Sequence, residues 1–188
     1  MTKIAIFASG SGSNAENIIQ YFQGIQSVEV VLVLSNRKDS YVLARAIKYS
    51  IPTFVFTKNE LNNTTKVLDY LHKLNASILI LAGFLLKIPN NLLIEYPNKI
   101  LNIHPSLLPL YGGKGMYGMN VHRSVVESKD QVSGITIHYV NEHYDQGDYI
   151  FQATCPVLSS DSPEDVKQKV HDLERIHYPK IIASILSE

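Results

Sequence analysis

The sequence predicts a single-domain α/β fold built on a doubly wound, mostly parallel sheet. Three observations lead there. Apolar, β-rich runs alternate with helical patterns along the first half of the chain. Those runs are apolar on both faces, as strands covered by helices on each side must be. A glycine-rich turn follows the first run and opens a helix, which is the start of a Rossmann-like half.

The elements follow in order. Strands are expected at KIAIFA (3–8), VEVVLVLS (28–35), PTFVF (52–56) and SILILA (77–82). Helices are expected between them near 14–24, 40–49 and 60–74, the last opening after Asn59 as N-cap. KILNI (99–103) reads as a fifth strand, and a helix follows near 117–128. SGITIHYV (133–140) and GDYIFQATCPV (147–157) are close enough in sequence to pair antiparallel near the C-terminus. The remainder is helical from Ser162 to Glu188: Ser162 is the N-cap, Pro163 sits at N1, and Asp165 completes a capping box. Pro179 is expected to end or kink this helix.

Composition narrows the function. The 188 residues suit one domain, and seventeen basic side chains balance seventeen acidic ones, so no electrostatic footprint points to nucleic acid or an anionic membrane. The single cysteine, Cys155, excludes an intramolecular disulfide and reads as a small buried apolar group. The opening MTKIAIFASG has no signal-peptide pattern, and ILILAGFLLKI is too short to cross a bilayer, so a soluble cytoplasmic protein is expected.

Two stretches carry candidate chemistry. In FASGSGSN (7–14), Gly10 and Gly12 allow a tight turn, and the amides and dipole of the following helix favour an anion, most naturally a phosphate. Walker A chemistry lacks its Lys-Ser/Thr pair. Gly10, Gly12 and Ala15 match the dinucleotide fingerprint instead, and Arg37 could meet a 2′-phosphate, so an NADP-dependent reductase is a rival reading. A non-catalytic module that senses a phosphorylated sugar is a third.

In LNIHPSLLP, Asn102 and His104 share one face at the C-terminal end of the fifth strand, where open α/β sheets bind ligands. An amide beside an imidazole suits a carbonyl oxygen that gains negative charge. Asp145, in NEHYDQGDY (141–149), could support the imidazolium if folding brings it to His104, although a solvated turn aspartate fits the same sequence. His138, His143 and Asp145 match no standard metal spacing, so no metal is expected. His72, His122, His171 and His177 fall on helices as surface or packing residues.

FASGSGSN, LAGFLLKI, LNIHPSLLP and YDQGDYIFQA, in this order and over nearly the whole chain, resemble the phosphoribosylglycinamide formyltransferase family, folate-dependent enzymes of purine synthesis. NIHPSLLP is shared with methionyl-tRNA formyltransferase and formyltetrahydrofolate hydrolase, which normally carry an extra domain. The resemblance implies a Rossmann-like phosphate-binding half over 1–100 and a catalytic, folate-binding half over 101–188. It implies 10-formyltetrahydrofolate as co-substrate, small-molecule partners only, and a monomer or weak homodimer. By resemblance, Asn102 orients the formyl oxygen, His104 acts as acid and stabilises the oxyanion, and Asp145 sustains its charge. Gly12, Ser13 and Asn14 take the substrate phosphate, and Glu174 the ribose hydroxyls. Leu85, Leu86, Lys87 and Ile88, with Asn102 and Val140, hold the folate. Two departures stand out. Thr64 and Leu86 occupy positions where bacterial relatives often have arginine, which leaves the binding of the glutamyl tail open. The segment 111–120 is longer and richer in glycine than expected, either a lid or a plain surface loop.

Overall fold

A computed structural model describes residues 1–187; Glu188, the last residue of the expected C-terminal helix, lies outside them. The chain forms two compact units that part between Leu101 and Asn102.

The first unit contains β1 (Thr2–Phe7), α1 (Ser13–Phe22), β2 (Val28–Ser35), α2 (Tyr41–Lys48), β3 (Thr53–Val55), α3 (Lys58–Asn63), α4 (Lys66–Lys73), β4 (Ile78–Leu81), α5 (Asn90–Glu95) and the start of β5 (Ile100–His104). Its strands lie in the order β3-β2-β1-β4-β5. β1 pairs in parallel with β2 and β4, and β2 with β3. The chain therefore steps outward from β1 to β3 and then returns to the other side of β1. With right-handed crossovers this reversal sends successive helices to opposite faces, which is what doubly wound means, and it opens a crevice at the C-terminal ends of β1 and β4. Ile4, Ile6, Leu32, Leu34, Leu79 and Ile80 are fully buried, in accord with strands apolar on both faces. Phe7 packs edge-on against Phe84 and Phe56, at 5.3 and 6.0 Å between ring centroids.

The second unit takes the end of β5, then α6 (Met119–Glu127), β6 (Val132–Tyr139), β7 (Tyr149–Pro156) and α7 (Pro163–Leu186). Here the order is β5-β6-β7, with β6 and β7 antiparallel as the sequence predicted. α7 packs on α6, β6 and β7. Cys155 is buried on β7, and burial pushes its thiol pKa up, so it is an inert core group.

Three helical expectations are corrected. The helix foreseen over 60–74 is two, because Thr64 adopts an extended backbone (φ −136°) and its hydroxyl donates to the Glu60 carbonyl, closing α3. The cap is Thr57, not Asn59: Thr57 accepts from the Glu60 amide while the Glu60 carboxylate accepts from the Thr57 amide. Pro179 neither ends α7 nor splits it. Pro179 is buried with Tyr178 and Ile182, and packing keeps the helix going where propensity alone would stop it. α5, which follows Pro89, was not foreseen. The Ser162 capping box with Pro163 at N1 is present. No helix among the described residues is long and apolar enough to cross a membrane.

Candidate active site

In the first unit, the turn after β1 sits at the crevice. Gly12 caps α1 with φ 76°. A Cβ there would lie 2.7 Å from the Val42 backbone, so both conformation and space require glycine. Ser9, buried at the end of β1, ties three segments together. Its hydroxyl donates to Asn36 Oδ1 at 2.6 Å, accepts from the Leu85 amide at 3.0 Å, and its own amide donates to the Gly83 carbonyl. The Leu85 N–H is thereby already committed. Leu85 and Lys87 are exposed, Leu86 is half-buried and Ile88 is buried. Arg37, the candidate partner for a 2′-phosphate, is exposed and lies 3.5 Å from Asp39.

In the second unit, β5, β6 and the β6–β7 loop bring Asn102, His104, His138 and Asp145 together. His104 is 4% exposed. Its Nδ1 lies 3.4 Å from Asp145 Oδ1, and its Nε2 donates to the Tyr111 carbonyl at 2.8 Å. The Asp145 Oδ2 accepts from the Gly113 amide at 2.9 Å. Burial pushes the Asp145 carboxyl up. The His104 hydrogen bond and charge and the Gly113 amide outweigh that and hold it below the usual carboxylate range. Asp145 itself has φ 56°, and a Cβ on the neighbouring Gly147 would collide with the Tyr139 carbonyl. The Asp-Gln-Gly turn thus delivers the carboxylate.

His138, 2% exposed, completes the cluster. Its Nδ1 lies 2.8 Å from the Tyr139 carbonyl, which can only accept. Nδ1 therefore carries the proton, and Nε2 accepts from Asn102 Nδ2 at 3.0 Å. Burial pushes the His138 pKa down and keeps the ring neutral, so this tautomer persists. The Asn102 amide is fixed in one orientation by a donor-acceptor chain. Behind it, Thr136 is fully buried; its hydroxyl donates to the Ser106 carbonyl at 2.7 Å and accepts from the Leu108 amide at 2.9 Å, bracing the SLLP turn. A cavity of about 380 Å³ opens beside Asp145, walled by Pro109, Gly112, Gly113, Tyr144 and Tyr149.

Of the other expected residues, Glu174 is half-buried on α7, near enough to Tyr178 to help burial raise its hydroxyl pKa, and Val140 is half-buried just past β6. His143 is exposed and 3.4 Å from Glu142, apart from the cluster. Among the described residues no three His, Cys, Asp or Glu side chains are arranged so that they could hold a metal ion. Sequence reading missed the orienting role of His138 and the Tyr111 carbonyl. A signal for His138 existed: Thr136 and His138 alternate on one face of the strand that follows the Asn102–His104 strand.

The family model described as formyl transferase matches residues 2–182. The chain is 38% identical to the chloroplastic phosphoribosylglycinamide formyltransferase of Arabidopsis thaliana over 99% of its own length, but spans just under two thirds, 66%, of that protein. It is 35% identical to the phosphoribosylglycinamide formyltransferase of Haemophilus influenzae, covering 97% of this chain and 86% of that one. The crystal structure of phosphoribosylglycinamide formyltransferase from Anaplasma phagocytophilum superposes with a TM-score of 0.91 at 31% identity, covering 100% of this chain and 87% of that one. With an amide, an imidazole and a carboxylate gathered on one strand edge, and the match running nearly end to end, this chain belongs to the formyl transferase family and, within it, to the phosphoribosylglycinamide formyltransferases.

Proposed function

We propose that this protein transfers the formyl group of 10-formyltetrahydrofolate to the amine of 5′-phosphoribosylglycinamide, a step of de novo purine synthesis. The observation that carries this reading is the Asn102–His104–Asp145 cluster, with His138 behind the amide. The amine attacks the formyl carbon on folate N10, and the carbonyl oxygen becomes an oxyanion. Asn102 still has one Nδ2 proton to offer it, since the other is held by His138. His104 supplies the second donor from Nε2 once that N–H exchanges the Tyr111 carbonyl for the oxyanion, while Asp145, ionised and buried, faces Nδ1 and stabilises the imidazolium. A proton leaves the amine, another reaches N10, and the C–N bond breaks. No covalent enzyme intermediate is needed; position and electrostatics supply the rate.

The substrate phosphate is assigned to Gly12, Ser13 and Asn14, the ribose to Glu174, and the folate to Leu85, Leu86, Lys87 and Ile88 with Asn102 and Val140. The segment 111–120 acts as the lid. In support, its Tyr111 carbonyl and Gly113 amide sit directly on His104 and Asp145, so it answers to whatever binds there. The protein works in the cytoplasm as a monomer or weak homodimer.

Protein mixed with 10-formyltetrahydrofolate and 5′-phosphoribosylglycinamide should turn over, followed by loss of the formyl-folate. Absence of turnover ends the reading. Asn102→Ala and His104→Ala should each lower kcat by about 10²–10³ with little change in KM. Near-normal kcat in either removes that residue from the mechanism.

A further inference from the structure

Glycine lets the phosphate loop turn, but glycine does not decide which way a peptide group faces. A peptide unit is planar and trans, so its C=O and N–H point in opposite directions. Gly12, with φ 76° and no side chain, leaves the Ser11–Gly12 unit free to present either the Gly12 N–H or the Ser11 carbonyl. An amide facing the helix start binds an anion; a carbonyl there repels it.

The choice is made from α2. The Val42 amide donates to the Gly10 carbonyl at 3.2 Å, and Arg45 Nε donates to the Ser11 carbonyl at 2.9 Å. Both carbonyls are drawn toward α2, which turns the N–H groups of Ser11 and Gly12 the other way. Arg45 is itself held in place. Its guanidinium is ion-paired with Glu16 of α1 and lies 5.0 Å over the Tyr41 ring. The Tyr49 hydroxyl donates to Glu16 at 3.2 Å, and Lys48 lies 3.6 Å away. Paired in this way, Arg45 acts on the loop by geometry rather than by charge.

We propose that Arg45 is a positioning residue for the phosphate loop: it locks the Ser11–Gly12 peptide with its amide outward and so sets the preference for a phosphorylated over an unphosphorylated substrate. This rests on the assignment of the substrate phosphate to Gly12, Ser13 and Asn14. Arg45→Met keeps the aliphatic stem and removes the donor. Two quantities are measured: kcat and KM for 5′-phosphoribosylglycinamide and for its dephosphorylated counterpart, and the ¹⁵N shift of the Gly12 amide during titration with orthophosphate. Arg45→Met should raise KM for the phosphorylated substrate about tenfold, the scale of one lost hydrogen bond. Its kcat, its KM for the formyl-folate and its activity on the dephosphorylated substrate should stay within about twofold. The orthophosphate response of Gly12 should weaken in parallel. Glu16→Gln, which loosens the guanidinium without removing it, should shift KM in the same direction by less, and it serves if Arg45→Met fails to fold. An unchanged KM, or an equal loss on both substrates, overturns the proposal. If the wild-type Gly12 amide responds neither to orthophosphate nor to substrate, the phosphate assignment is wrong and the proposal falls with it.

Discussion

At the scale of single residues, the site depends on one buried imidazole that makes no contact with chemistry in the proposed mechanism. His138 fixes Asn102 because its own tautomer is fixed by the Tyr139 carbonyl. His138→Leu removes the acceptor and frees the amide to rotate. It should lower kcat by on the order of tenfold or more, toward the 10²-fold cost of a misplaced group, with KM little changed. His138→Gln, whose carbonyl can accept from Asn102, should recover part of the loss. Equal rates for the Leu and Gln variants would show that orientation of the amide is not what His138 provides. The sequence made Asn102 and His104 legible because both lie on one short strand, and period-two alternation puts them on one face. Asp145 was legible as a turn acid and His104 as the partner it would meet, yet the contact itself was not, since forty-odd residues of fold lie between them. His138 was hidden for a different reason. A histidine in an apolar strand reads the same whether it packs, binds metal or orients a neighbour, and only its hydrogen-bond partners distinguish these.

At the scale of elements, local rules succeeded wherever the controlling atoms were local. The strands appeared within a residue or two of their expected ends because their apolar runs are bounded by turn residues. The Ser162 capping box was readable because all its parts lie within four residues. Its weight can be measured: Ser162→Ala leaves the Asp165 amide without its acceptor and should cost about 1 kcal/mol in urea unfolding, with the slope unchanged. A change in slope would mean that the cap governs more than the first turn. Pro179 shows where local rules fail. Its missing N–H argues for a break, but α7 packs against α6, β6 and β7, and those contacts come from residues distant in sequence. The split of 60–74 fails in the opposite sense. The apolar period runs on through the break, while Thr64, through one hydroxyl bond to Glu60, ends the first helix.

At the scale of the whole molecule, equal numbers of acidic and basic side chains leave no net charge near neutrality, so mild acid should act through particular buried groups before general repulsion sets in. His122 is the clearest of them. It is 3% exposed on α6, and its Nδ1 has no partner among the described residues. Burial above all, then the positive charges of Lys167 and His104, push its pKa down to about 4 from 6.5. The sign follows from linkage. Below pH 6.5 the unfolded chain takes up a proton that the native ring accepts only near pH 4, so stability is full above 6.5 and drains away as the pH falls through that window. Asp145, also depressed, gives the same direction but only at lower pH, below its ordinary value of 3.8, so the two are separable. Between pH 7.5 and pH 5 the His122 contribution amounts to at most about 2 kcal/mol. His122→Phe, of similar size and without a titrating group, should lose that much less stability than the parent over this interval in urea unfolding. His138 is unchanged in both proteins, so its own acid response cancels in the comparison. Equal losses in parent and variant would place the acid sensitivity elsewhere and leave His122 as a buried histidine whose neutrality costs the fold nothing.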